Sequence, residues 1–258
     1  MNTIEDCPLA KIAEHMKYKE EYKDWLWEQI MLENKDNVIK KVADMLLHEE
    51  KHGPVWEELW DEVDGVGGMG AVYDHWYENY EPIRIMGHME TLMVATTFAH
   101  IVPLDYQPTL DVGCGSGFAS HVLAMQGYKT FVGIDVSQNG LDMASEYNCY
   151  SELHLMDIRE GLNFRDNTFE VITSAGVLTP KFGITTDIFN EFIRVAMTNA
   201  YVVISLHSDQ PWCDSWKLVL NKLIDEGKWS SVFTTPDFDT RRGNNDEQKM
   251  RVEVFQVN

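Results

Sequence analysis

Two periodicities divide the chain. From about Lys11 to Val63, apolar residues recur at helical spacing: Ile12, Met16, Tyr22, Leu26 and Ile30, then Val38, Val42, Met45 and Leu46. Asn34 to Asn37 breaks this stretch into two helices, and Gly53-Pro54 ends the second and opens a short third. Lys19 and Lys23 alternate with Glu20, Glu21 and Asp24, as on a solvated helix face. From about Pro108 the pattern changes to short apolar runs alternating with helical stretches. The predicted strands are Thr109–Val112, Thr130–Ile134, Glu152–Met156, Phe169–Ser174, Ala200–Leu206, Ser231–Thr235 and Arg251–Val257. Between the early ones lie predicted helices at Phe118–Gln126, Gly140–Tyr147 and Ile184–Met197. Repeated strand–helix–strand units predict a mostly parallel seven-stranded sheet with helices on both faces. Only a loop joins the last two strands, so that pair is expected to be antiparallel at one edge. Between the two zones, Gly65-Val66-Gly67-Gly68-Met69-Gly70 lacks the Gly-Lys-Ser/Thr ending of a phosphate-binding loop and reads as a flexible joint.

Composition narrows the class. The 258 residues are 44% hydrophobic and 24% charged, ordinary values for a globular protein with a sizeable core. The longest apolar runs are a few residues, such as Tyr201 to Ile204, so no membrane-spanning helix is expected. Met1 to Ala10 has early acids and no basic-then-apolar leader. Cys7, Cys114, Cys149 and Cys213 have neither Cys-x-x-Cys nor zinc-ligand spacing. They read as reduced thiols in a cytoplasmic protein without a bound metal. Lys and Arg number 21 against 42 Asp and Glu, a net charge of −21. Such a chain repels a phosphate backbone, so a nucleic-acid partner is not expected, and neutral or cationic ligands are favoured.

The candidate chemistry sits at Leu110-Asp111-Val112-Gly113-Cys114-Gly115-Ser116-Gly117, where the first strand turns into a helix. Glycines there permit positive φ and let a ligand lie against the backbone, facing helix N-terminal amides. Alone, such a turn is equally a ligand-free connection. The second strand, however, ends in Asp135, 22 residues after Gly113, where a carboxylate can accept both ribose hydroxyls of a nucleoside. A dinucleotide fingerprint needs its third glycine at position 118, which is Phe118; the glycine falls one residue early, at Gly117. That departure argues against NAD or FAD.

From about Met69 onward the chain resembles class I S-adenosylmethionine-dependent methyltransferases. Besides the glycine turn, Met156-Asp157-Ile158 resembles the segment whose acid accepts the adenine amino group. Thr168-Phe169-Glu170-Val171-Ile172-Thr173-Ser174-Ala175-Gly176-Val177-Leu178 is similar to the family's T-F-D-x-V-x-x-x-G-V-L run. Val72 to Tyr80 resembles the Y-D-x-W-x-x-x-Y segment that folds over the cofactor. This lid segment, with Trp216, Leu223, Gly227 and Trp229, gives the narrower resemblance to the Williams–Beuren-region methyltransferase-like proteins. Two departures stand out. Met197-Thr198-Asn199-Ala200 replaces the usual K-P-G-G turn, and Thr179-Pro180 replaces the acid–His pair after G-V-L.

The resemblance implies a Rossmann-like domain over residues 66–258 with a lid at 69–100; it does not cover the first 65 or so residues, whose periodicity predicts a helical extension over 1–65. It also implies the cofactor S-adenosyl-L-methionine, with S-adenosyl-L-homocysteine as product. Gly113, Cys114 and Gly115 would contact the methionine end, with Asp111 in the same motif, and Asp135, followed by Val136, would take the ribose. Asp157 and Ile158 would frame the adenine, Ser174 and Ala175 would line the sulfonium side, and Tyr73 and Tyr80 would cover the methionine carboxylate. Core packing is an equal reading for Tyr73, and Cys114 needs no thiol chemistry. His207, after the fifth strand, is the candidate catalytic base; a structural histidine is the competing reading, and His75 and His88 are weaker candidates. Trp76, Trp212 and Trp216 either line an acceptor pocket or pack internally. The expected activity is direct methyl transfer to an O or N atom of a small molecule. A non-catalytic cofactor-binding partner subunit and a protein methyltransferase are the alternatives. The N-terminal helices, with Trp25, Trp27, Trp56 and Trp60, are open to three readings: a substrate cap, a homodimer or partner-protein interface, or a stabilising appendage.

Overall fold

The computed structural model describes residues 69–71, 73–74, 77, 89–240 and 248–258. The helices expected over residues 11–63 lie outside the described residues, as do Gly65–Gly68, His75, Trp76, Tyr80 and His88.

Helix α1 (Met89–Ile101) is followed by β1 (Thr109–Val112), α2 (Phe118–Met125), β2 (Phe131–Asp135), α3 (Gln138–Glu146) and β3 (Tyr150–Leu155). Then come β4 (Phe169–Ser174), α4 (Ile188–Val195), β5 (Ala196–His207), α5 (Cys213–Asp225), β6 (Trp229–Thr234), the two-residue β7 (Phe238–Asp239) and β8 (Lys249–Val257). The strands form one sheet in the order β3-β2-β1-β4-β5-β8-β6, with β7 beside β8. Strands β1 to β5 run parallel, and β8 is antiparallel to both β5 and β6. The expected doubly covered, mostly parallel α/β sheet is thus present. Strand order reverses between β1 and β4, and the crevice at their carboxyl ends is where open sheets of this type bind ligands.

The two faces have separate cores. On one, Ile188, Phe189, Phe192 and Val195 of α4 meet Trp216 and Leu220 of α5, with Ile172, Val202 and Ile204 from the strands. Trp229 stacks on Phe255 at 4.3 Å, and its Nε1 donates to the Leu220 carbonyl at 3.4 Å. On the other face, Val94, Ala95 and Phe98 of α1 pack on Val171, Val203, Val252 and Val254. Each such large apolar side chain contributes about 1.5–3 kcal/mol by leaving water. Trp216 is therefore a core residue rather than part of an acceptor pocket, while Trp212 is only partly buried.

Several boundaries differ from the sequence expectation for local reasons. Helix α4 is shorter than Ile184–Met197, because Pro180–Phe182 forms a separate 3-10 turn and Ala196 leaves the helix to pair with Phe169. Strand β5 accordingly starts early and absorbs Met197-Thr198-Asn199 as a bulge. Phe169 pairs with Ala196 but Val171 with Tyr201, and Asn199 takes a left-handed φ of 67°. Helix α1 was not anticipated as a helix, because its apolar positions are not confined to one stripe: Leu92, Val94, Ala95, Thr96, Thr97 and Phe98 are all buried. It occupies the C-terminal end of the stretch expected as a lid and forms a layer of the domain.

Candidate active site

The glycine turn is built from both ends. The amides of Gly113 and Cys114 both donate to the Ile134 carbonyl, at 2.8 and 3.0 Å, tying the turn to the end of β2. Gly113 has φ 67°, and a Cβ there would lie 2.3 Å from Cγ2 of Val177. Only glycine lets the loop after β1 approach the loop after β4 so closely. Beneath the turn, the buried Asp111 carboxylate accepts from Ser120 Oγ at 2.6 Å and Tyr150 Oη at 2.8 Å, bracing β1 to α2 and β3. Burial, reinforced by the Asp111 and Asp135 carboxylates, pushes the Cys114 thiol well above its ordinary pKa. It stays protonated and packs as a small residue.

Asp135 closes the site from β2. Its Oδ2 accepts from the Gly115 amide at 2.8 Å and its Oδ1 from the Ser137 amide at 2.9 Å. These bonds fix the carboxylate beside the glycine turn. A carboxylate offers about four acceptor sites and is the kind of group to which ribose hydroxyls donate. Val136, next along, packs closely on Gly70, where a Cβ would stand 2.8 Å from the Val136 carbonyl oxygen. The described part of the expected flexible joint is thus helical and packed at close approach.

In the segment expected as a lid, the described residues Tyr73, Asp74 and Tyr77 are helical. Asp74 Oδ1 accepts from Ser137 Oγ at 2.5 Å and from the Asn139 amide at 3.0 Å. Asn139 Nδ2 donates back to the Asp74 carbonyl at 3.2 Å, and Ser137 Oγ in turn caps α3 by accepting from Gly140 N. Tyr77 is buried against Gly140, and Tyr73 lies beside it with ring centroids 6.3 Å apart. The sequence placed Asp74 inside the lid segment without giving it a role. Its anchoring function was invisible because its partners lie more than 60 residues away.

The remaining predicted site residues end or follow β3, β4 and β5. Asp157 caps a short 3-10 turn that begins at Ile158, accepting from the Arg159 amide and forming a paired contact with its guanidinium. Those bonds hold its carboxyl below the usual range. Ser174 is fully buried; its hydroxyl donates to the Val112 carbonyl at 2.9 Å, locking β4 to β1, so any ligand contact there falls to backbone and Ala175. His207 ends β5, packed edge-on against Trp212 at 5.4 Å. Burial lowers its pKa, opposed by Asp209 and Glu90. Thr179, at the missing acid–His position, caps the turn at Pro180–Phe182. Among the described residues no cluster of three His, Cys, Asp or Glu side chains is placed to hold a metal, and no helix is long and apolar enough to cross a membrane.

A strand-order reversal, a glycine turn and an acid ending β2 define a nucleoside-binding α/β domain. Residues 105–240, over half the chain, match the family model described as "Methyltransferase domain", and the chain belongs to that family. Class I members of it use S-adenosylmethionine. Similar curated proteins include a probable 18S rRNA (guanine-N(7))-methyltransferase of Dictyostelium discoideum, 35% identical over 27% of this chain and 24% of its own length. The Saccharomyces cerevisiae 18S rRNA guanine-N(7)-methyltransferase is 26% identical over 40% of this chain and 39% of its own. A cypemycin N-terminal methyltransferase of Streptomyces sp is 35% identical over 40% of this chain and 42% of its own. The chain thus matches less than half the length of each. A solved TehB-like SAM-dependent methyltransferase of Corynebacterium glutamicum shares the fold at a TM-score of 0.54 and 17% identity, over 73% of this chain and 99% of that one.

Proposed function

We propose that this protein transfers the methyl group of S-adenosylmethionine directly to a nitrogen or oxygen atom of a small-molecule acceptor. The observation that carries the reading is the Asp135 carboxylate, fixed by the amides of Gly115 and Ser137 beside the glycine turn. When bound, the cofactor supplies an electrophilic methyl on a cationic sulfur. The chain's own work is to hold the nucleoside, orient the acceptor in line with the methyl and exclude water. Asp135 takes the ribose, the 113–115 backbone the methionine end, Ile158 and Asp157 flank the adenine, and Ser174-Ala175 face the sulfonium. Tyr73 and Tyr80 belong to the lid, which Asp74 anchors over Val136 and α3. A lid of this kind suits a small acceptor. On this reading residues 1–65 form a helical extension that serves as a substrate cap, a dimer or partner interface, or a stabilising appendage.

A second reading follows from the relatives, several of which are named as 18S rRNA guanine-N(7)-methyltransferases. The net charge of −21 opposes it, because affinity for a phosphate backbone comes from Lys and Arg displacing counterions. The relatives named above share a nitrogen acceptor, guanine N7 or an N-terminus, which favours nitrogen here. Calorimetric titration with S-adenosylmethionine, S-adenosylhomocysteine and NADH tests the proposal. Binding of the first two alone is expected; failure of both to bind refutes it. Salt-sensitive RNA binding would favour the second reading.

A further inference from the structure

The face of the sheet beneath α1 carries polar groups that the cofactor contacts leave unused. Glu90, in the first turn of α1, is only 6% exposed. A Cβ built on Gly176 would stand 3.2 Å from its Oε1, so the carboxylate lies over the loop that continues from Ser174-Ala175. The Gly176 amide donates to the fully buried Ser205 Oγ at 2.8 Å. His207 follows two residues later on β5, so Ser205 and His207 project to the same face. That is the face α1 covers, since Val252, opposite Ser205, belongs to the α1 core. His207 Nδ1 is buried and has no hydrogen-bond partner among the described residues, and the same holds for Thr173 Oγ1. A buried polar atom left without a partner costs about 1–3 kcal/mol. Two of them at the carboxyl end of the sheet, next to a buried carboxylate, mark a place for a polar ligand.

We propose that Glu90, Ser205 and His207 form the acceptor subsite, and that it takes a protonated amine. This rests on the methyltransferase reading and adds the acceptor class to it. The Glu90 carboxylate attracts the ammonium, strongly so because little water screens it. Among the described residues, the groups around the imidazole are Glu90 from α1, Asp209 from the loop after β5 and Cys213 of α5, whose thiol donates to the His207 carbonyl at 3.0 Å. On β8, Met250 lies opposite His207, while Lys249 and Arg251 flank it, Arg251 paired with Glu253. Burial keeps His207 neutral near pH 7, ready to accept a proton. The ammonium gives one proton to this imidazole, and the freed nitrogen lone pair forms the N–C bond. The S–C bond breaks with its electron pair staying on sulfur, leaving a methylammonium, a neutral thioether and an imidazolium that releases its proton to water.

Sinefungin tests this directly, because it carries an amine-bearing carbon where S-adenosylmethionine has its methyl-bearing sulfur. Its ammonium therefore reaches toward the acceptor side. The full-length protein should bind sinefungin at least about tenfold more tightly than S-adenosylhomocysteine, a difference of about 1.4 kcal/mol. In Glu90→Gln the preference should collapse to less than about threefold while S-adenosylhomocysteine affinity is retained, which also certifies the folded site. Equal binding of the two nucleosides by the unmodified protein overturns the inference without needing any variant. A preference that survives in Glu90→Gln also overturns it. So does a variant that weakens S-adenosylmethionine as much as sinefungin, since Glu90 would then serve the sulfonium. Failure of every nucleoside to bind refutes the methyltransferase reading instead.

Discussion

Replacing Asp135 by Asn isolates the contact on which the functional reading depends. The substitution keeps the shape of a side chain that is 7% exposed and exchanges one oxygen for an NH2 group. In the folded protein both oxygens already accept from main-chain donors, Gly115 N at 2.8 Å and Ser137 N at 2.9 Å. Whichever way the amide is turned, one N–H faces another N–H. One charge-assisted bond is lost and the other becomes neutral, so stability should fall by about 1.5–3 kcal/mol. For a chain of this size the melting temperature should drop by about 3–10 °C. The same exchange leaves at most one good acceptor for the two ribose hydroxyls. Affinity for S-adenosylhomocysteine should fall by a further ~1.5–3 kcal/mol, or about 10- to 150-fold. Calorimetric titration beside a thermal melt separates the two effects. A cooperatively folded Asp135→Asn protein that binds S-adenosylhomocysteine within about threefold of the original would remove Asp135 from the binding site, and with it the nucleoside assignment.

Three further substitutions probe other parts of the site. Gly113→Ala places a Cβ 2.3 Å from Val177 at φ 67°, so it should destabilise by about 1–3 kcal/mol and abolish measurable cofactor binding. Adding Val177→Ala should restore part of the stability in a urea melt, because it relieves the collision but not the backbone strain. Asp74→Ala removes the bonds from Ser137 Oγ and Asn139 N that anchor the lid, so affinity for S-adenosylhomocysteine should fall about tenfold with little change in melting temperature. His207 has a folded pKa below its unfolded value of about 6.5. The unfolded chain therefore takes up the proton first on acidification. The stabilisation is complete above about pH 6.5 and declines as pH falls through the folded value. Urea melts between pH 7.5 and pH 5 should show this decline, and His207→Gln should flatten it.

What the sequence disclosed was whatever short-range periodicity encodes. Strands β1 and β4 were delimited correctly because each is a short apolar run bounded by a turn, and the glycine turn with Asp135 was readable because both ends of the contact lie at strand termini. Helix α1 escaped because it is buried around most of its circumference, with Thr96 and Thr97 inside as well as Phe98, so no amphipathic stripe marks it. The early start of β5 escaped because Ala196 pairs with Phe169, a tertiary demand that overrides the local helical pattern of Arg194-Val195. By sequence Trp216 could equally have lined a pocket, and Trp229 stood only in a family pattern. Packing against Phe189 assigns both to the core.

The two halves of the site therefore differ in how the chain specifies them. On the nucleoside side, one carboxylate joins the loop after β1 to the start of α3, so the contacts that complete the fold also shape the proposed ribose site. Losing them should cost stability and affinity together, as the Asp135→Asn case requires. The acceptor side is assembled from residues remote in sequence, Glu90 on α1 and Ser205 and His207 on β5, held near one another by Gly176. There the orphaned Nδ1 of His207 and Oγ1 of Thr173 contribute nothing to the described fold's hydrogen bonding. A protein retains such groups at a cost in stability when a ligand satisfies them. An isosteric change at His207 should consequently alter selectivity while leaving stability near pH 7.5 nearly unchanged, the opposite signature from Asp135.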